Sequence, residues 1–284
     1  MSAQPARGAP SVVRSTSLDF SHHRSFLADV VIDKGPRELL GRLMLKVDTD
    51  FREKGVVVSY ATFEELVAVN KANSESWSPL LRIFDPAVSD VGPDNGNVLM
   101  GRNSSGAVVY TQAVRKFELA GTLLKDELES LRVLYRDPEA SRAPGEAVHV
   151  SAPIASIPRD DALFTGAQWY RPDYRKKKLL PLTTVLTRCI YIARWDPDFA
   201  YSFCAPAVVG GGVPATARMR SEWGVSMINT PVLRNGTIEA ALIWSDAQDM
   251  IEVLQDYAAN RSTAANAEVD VLVPDRAANQ KRVG

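Results

Sequence analysis

Apolar positions along the chain alternate between helical and strand periods. From Pro36 to Lys54 the spacing of Leu39, Leu40, Leu43, Met44 and Val47 predicts a helix, with Pro36 where a first helical residue tolerates a missing amide hydrogen. Gly55 interrupts this pattern, and the β-branched run Val56, Val57 and Val58 predicts a buried strand. Thr62 followed three residues later by Glu65 reads as a capping box, opening a helix that runs to about Trp77. Prolines, glycines and asparagine over 85–96 mark a loop. Asn97–Gly101 and Ala107–Glu118, separated by a short polar run ending in Gly106, predict an antiparallel hairpin.

Leu124, Leu128, Leu131 and Leu134, with charged residues between them, predict one amphipathic helix over 123–135. Strands are predicted at Ala147–Val150 and Ala162–Tyr170. Pro181 is expected to open a helix whose apolar face is Leu182, Val185, Leu186, Cys189, Ile190 and Ala193. A strand at Phe199–Cys204, a flexible connection at Gly210, Gly211 and Gly212, and a short helix from Pro214 to Trp223 follow. Val225–Ile228 and Thr237–Trp244 pair through a turn at Arg234, Asn235 and Gly236, and a helix covers 246–257. Residues up to about Arg24, including His22 and His23, read as an arm, and those from Ala258 as a tail with one apolar patch at Val269–Val273. The expected organisation is an arm and helix over 1–54, one α/β domain over 55–257, and a tail over 258–284.

Composition narrows the function classes. With 284 residues, 45% hydrophobic and 24% charged, the chain is long enough for a large buried core and is not disordered as a whole. Lysine and arginine number 33 against 34 acidic residues, so no global field draws it to nucleic acid or anionic lipid, and any basic site is local. Cys189 and Cys204 lie far from other ligand-type residues, which argues against a disulfide framework and a metal site. No apolar run approaches the roughly 20 residues of a membrane span, and the first residues lack a signal-type apolar stretch, so a cytoplasmic location is expected.

One local cluster carries chemistry. The strand ending Gln168-Trp169-Tyr170 leads into Arg171-Pro172-Asp173-Tyr174-Arg175-Lys176-Lys177-Lys178 and then Leu179, Leu180 and a helix. This strand, basic turn, helix and next strand resemble the heart of the GNAT acyltransferase superfamily, and Glu222-Trp223-Gly224-Val225 is similar to that family's closing helix and Gly-aromatic step. The resemblance covers about Gly55 to Trp244. It implies a mixed, mostly antiparallel sheet flanked by helices, in which a splayed parallel strand pair holds the arm of a coenzyme A thioester. It further implies that Gln168, Trp169, Tyr170, Arg171, Arg175, Lys176, Lys177, Lys178, Leu179 and Leu180 surround its diphosphate. Helix N-terminal amides make such an anion site without any charged side chain.

In the register of the family's loop, both small positions are filled, by Lys178 and Leu180, and Pro181 lacks an N–H. The position of the family's tyrosine acid holds Arg220, and strand 162–170 contains no acidic residue; Tyr201, Cys204, His149, Asp160 and Asp161 are the remaining candidates for proton transfer. The implied partner is an acyl donor, either acyl-CoA or an acyl carrier protein whose acidic surface suits the lysines, and a homodimer or assembly partner is expected. Two functions follow: N-acyl transfer to an amine, or a GNAT-like binding, regulatory or structural protein without catalysis. An unrelated α/β enzyme is a third.

Overall fold

The structure, a computed structural model, describes residues 24–231 and 236–259. The arm with His22 and His23, the turn residues Arg234 and Asn235, and the tail with its patch at Val269–Val273 lie outside the described residues.

In chain order the elements are α1 (Arg37–Glu53), β1 (Val57–Ala61), α2 (Phe63–Ala72), β2 (Gly96–Arg102), β3 (Val108–Glu118), α3 (Leu124–Glu129), α4 (Pro138–Ser141), β4 (Ala147–Val150), β5 (Asp161–Tyr170), α5 (Leu179–Arg194), β6 (Phe199–Cys204), α6 (Pro206–Gly210), α7 (Val213–Thr216), β7 (Arg220–Ile228), β8 (Thr237–Asp246) and α8 (Ala247–Ala258). Among the described residues eight strands form one sheet in the order β1-β2-β3-β5-β6-β8-β7-β4. Its pairs are antiparallel except β5 with β6.

Strand alternation divides the interior into two cores. Val58, Leu99, Tyr110, Leu163 and Ala200 face a layer built from α1, α5 and α8, while Val98, Met100, Phe164, Phe199 and Tyr201 face the opposite layer with α2 and α3. The helix over 37–53, grouped with the arm by its sequence, packs through Leu40, Met44, Val47 and Phe51 into the first of these cores. Cys204, Ala241 and Ile243 form a small third cluster beneath α6. Both cysteines are free and buried, and among the described residues no helix is long and apolar enough to cross a membrane.

Several elements depart from the periodic reading, each for a local reason. The helix opened by Thr62 ends at Ala72 rather than Trp77, because the chain wraps around buried Asn70, whose amide donates to Ser78 O at 2.9 Å and accepts from the Leu80 amide. Thr62 caps it by accepting from the Glu65 amide at 3.1 Å, but the Glu65 carboxylate turns to Arg102, so the box is one-sided. The leucine repeat over 123–135 is not one helix. α3 stops at Glu129, Leu131 takes a left-handed φ of 64°, and Glu127 grips Arg132 across the turn at 2.8 and 2.9 Å. Leu124, Leu128, Leu131 and Leu134 are all buried nonetheless, so that spacing marks burial without a continuous helix.

The largest correction concerns 214–225. The helix expected from Pro214 to Trp223 is only α7, which ends at Thr216; Arg218 takes a φ of 50° and the chain enters β7 at Arg220. Glu222-Trp223-Gly224-Val225 therefore lies in a strand, and Gly224 occupies a bulge against β8. Trp223 is 53% exposed. Gly210 closes α6 and Gly212, at φ 75°, turns the chain into α7, so the triplet links two short helices.

Candidate functional site

β5 and β6 run side by side for only two residue pairs, Leu163 with Ala200 and Phe164 with Tyr201. Beyond them the strands part. Thr111 pairs with Trp169 and Ala113 with Gly166, so Ala167 and Gln168 together oppose Gln112: a bulge that bends β5 away from its neighbour. Ala167 sits at φ 52°, and the Thr111 hydroxyl holds it by donating to its carbonyl at 2.8 Å. A side chain at Gly166 is blocked, since a Cβ there would lie 2.9 Å from the Phe84 ring and 3.0 Å from Phe164.

The wedge this creates is roofed by α5 and α7, leaving a cleft of about 90 Å³. Gln112, Thr165 and Gln168 line it from the sheet, Thr183, Thr187, Arg188 and Tyr191 from α5, and Ser202 from β6. A larger cavity of about 630 Å³ lies at the other end of α5, between Val30 and Val31, Tyr60 and Arg194, with a mainly apolar lining. Burial there pushes the Tyr60 hydroxyl up to about 12.

The turn leaving β5 is a 3-10 helix over Pro172–Lys177, and it sorts the five cations into two kinds. Arg171 holds Asp173 with two bonds of 2.7 Å, and that bond keeps the Asp173 carboxyl below its usual range. Arg175 clamps the turn by donating to Tyr170 O at 3.2 Å and Ser76 O at 3.0 Å. Lys177 lies 3.8 Å above the centre of the Tyr174 ring. Lys176 and Lys178 are exposed and, among the described residues, form no ion pair.

α5 starts at Leu179, two residues before Pro181, with Lys178 at φ 55° as its first flanking residue. The proline sits in the first turn, where its missing N–H costs no helical bond. Leu179 and Leu180 turn inward and are buried, and Leu180 lines the cleft. Trp169 is buried and stacked on Trp77 at 5.2 Å, and the buried Tyr170 hydroxyl bonds Thr183 at 2.9 Å, so both are framework. Gln168 is exposed on the bulge and reaches the cleft.

The proton-transfer candidates do not converge. His149 is exposed on β4, at the far edge of the sheet, and Asp160 and Asp161 precede or open β5 at the end opposite the wedge. Tyr201 packs in the core on the other face of the sheet, where burial raises its pKa; Cys204, near the wedge, is pushed up to about 11 by burial. Arg220 is held by Asp246 at 3.0 Å and Asp249 at 2.8 Å, and its guanidinium stacks on Trp244. Sequence reasoning missed Gln112, Arg188 and Tyr191, which line the cleft. The visible signal was Arg188 itself, a charge inside the otherwise uncharged run from Leu179 to Ala193.

The site's frame is a mostly antiparallel sheet with one splayed parallel pair, followed by a basic turn and a helix that starts beside the wedge. No family model matches the sequence, and no curated protein does either. Among solved structures the chain is similar to an uncharacterised protein from Bacillus halodurans, at 9% identity over 72% of this chain and 91% of that one, with a TM-score of 0.42. It is similar to spermidine N-acetyltransferase from Vibrio cholerae, at 6% identity over 73% and 98% of the two chains, with a TM-score of 0.38. NAA60 of Arabidopsis thaliana, solved in complex with acetyl-CoA, matches at 9% identity over 67% and 98%, also with a TM-score of 0.38.

Proposed function

We propose that this chain is an N-acyltransferase that takes an acyl group from a thioester, carried by coenzyme A or by an acyl carrier protein, to an amine. The observation that carries this reading is the parallel pair joined at two positions only, opening into a polar cleft and running directly into a basic turn and a helix start. In that role Lys176 and Lys178 supply charge to the donor's phosphates, and the amides of Leu179, Leu180 and Leu182 supply the helix N-terminal field. Arg171, Arg175 and Lys177 hold the turn's shape through Asp173, two backbone carbonyls and Tyr174.

The fit is uneven. Phosphate charge is matched by two exposed lysines, whereas a Cβ at Lys178 keeps phosphate from the close approach a glycine allows. A cleft of about 90 Å³ does not hold a pantetheine arm as it stands, so admitting one requires α7 to move away from α5. The reaction itself needs little from the protein: the amine nitrogen bonds to the thioester carbon, the carbon–sulfur bond breaks, and the amine proton leaves for the thiolate. Positioning two reactants in a dry wedge supplies much of such a barrier reduction.

Titration calorimetry with coenzyme A, acetyl-CoA, a long-chain acyl-CoA and an acylated carrier protein tests the reading. Saturable binding of one of these, weakened roughly tenfold by the joint change Lys176→Ala and Lys178→Ala with an unchanged melting temperature, is the expected result. Absence of binding to all four at millimolar thioester overturns it. The second reading, a non-catalytic GNAT-like binding protein, draws on one observation: no carboxylate or histidine is among the residues lining the cleft.

A further inference from the structure

Arg188 is the anomaly of the cleft. It lies mid-way along α5 and is 5% exposed, yet among the described residues no carboxylate pairs with it. Its Nη1 donates to Thr184 O at 3.3 Å, its Nη2 to Ala217 O at 2.7 Å and Arg218 O at 3.5 Å, and its Nε–H finds no acceptor. Asp249, whose charge acts on it, is bonded to Arg220 at 2.8 Å. Burial lowers the guanidinium to about 10, which still leaves it charged at neutral pH.

Across the cleft Gln112, 4% exposed, gives its amide nitrogen to the Thr165 hydroxyl at 2.6 Å and leaves its Oε1 without a donor. The Tyr191 hydroxyl lies beside the same threonine. Thr183 and Thr187 do not compensate the charge, because both hydroxyls return to carbonyls of their own helix. A guanidinium removed from water and surrounded by neutral acceptors is costly unless an anion completes it.

We propose that the cleft binds a small ligand through a carboxylate seated on Arg188, with Gln112 Oε1 left to accept an N–H from a ligand that carries one. A volume of about 90 Å³ admits a group of amino-acid size. The proposal deepens the acyl-transfer reading and rests on it for where the carboxylate comes from: the acceptor, as an α-amino acid, or the acyl group, as that of a dicarboxylic acid.

Thermal-shift and calorimetric titration of the full chain with glycine, alanine and succinate, against glycinamide and succinamide, reads the site without turnover. Saturable stabilisation by a carboxylate and none by its amide is expected. A response to the amino acids alone identifies the acceptor, and one to succinate alone the donor. Arg188→Met removes a buried charge; the variant is expected to melt no lower than the parent and to bind the carboxylate at least about tenfold more weakly. Should that variant fail to fold, Gln112→Glu decides, because a carboxylate built into the cleft should raise the melting temperature and abolish the ligand response. No response to any carboxylate at tens of millimolar, or an undiminished response in the folded variants, overturns the proposal. Carboxylate binding without coenzyme A or carrier binding leaves the site and removes the donor reading; the reverse leaves acyl transfer and removes the site.

Discussion

At the scale of single residues, burial matters more than identity. Cys189 and Cys204 are both enclosed, and desolvation pushes their thiols up to about 12 and about 11. A raised folded-state value means that the fold keeps a proton the unfolded chain releases above about 9. Stability contributed by these thiols is complete below that pH and declines from there towards 11 and 12. Urea midpoints measured from pH 7.5 to 10.5 should therefore fall at the alkaline end, and Cys189→Ala should show a shallower fall even if its midpoint at pH 7.5 is lower. The same logic explains what a residue count could not show. Five cations in the turn look equivalent in sequence, but three are committed to Asp173, to backbone carbonyls and to the Tyr174 ring, and only burial and geometry distinguish Lys176 and Lys178 from them.

Among the elements, α5 was the most legible and also the most informative. Its apolar spacing marked Val185 and Leu186, and both are buried against the sheet. Leu186→Ala is expected to cost about 2–5 kcal/mol in denaturant unfolding, the range for a truncated core leucine. The strands over 57–61, 96–102, 108–118, 161–170 and 199–204 were legible because β-branched and aromatic runs sat between turn residues. Failures fell where a tertiary contact overrides a local period, as at Leu131, or where a motif matched in letters but not in structure, as at Glu222-Trp223-Gly224-Val225. Gly224 belongs to a bulge at φ 125°, and a Cβ there would stand 2.7 Å from the Ala152 nitrogen. Gly224→Ala should lower stability by about 2 kcal/mol or more, measured by the same unfolding experiment, without changing the secondary structure seen in circular dichroism.

For the molecule as a whole, pairing of distant strands was the part the sequence concealed. Hairpins announce themselves through short turns, but nothing local places β4 beyond β7 or sets β5 beside β6 for two residue pairs. The cleft was hidden for the same reason: Gln112 and Arg188, 76 positions apart in the sequence, come together only because β3 and α5 meet at the wedge. That narrow join has a mechanical consequence. Four strands lie on each side of it, so the sheet resembles two rigid plates sharing a short seam. Amide hydrogens of 166–168 and 202–204 that point into the gap should exchange with deuterium far sooner than those around Leu163 and Ala200. A map of exchange rates would then draw the outline of the wedge, and any molecule that bridges the two plates would erase it.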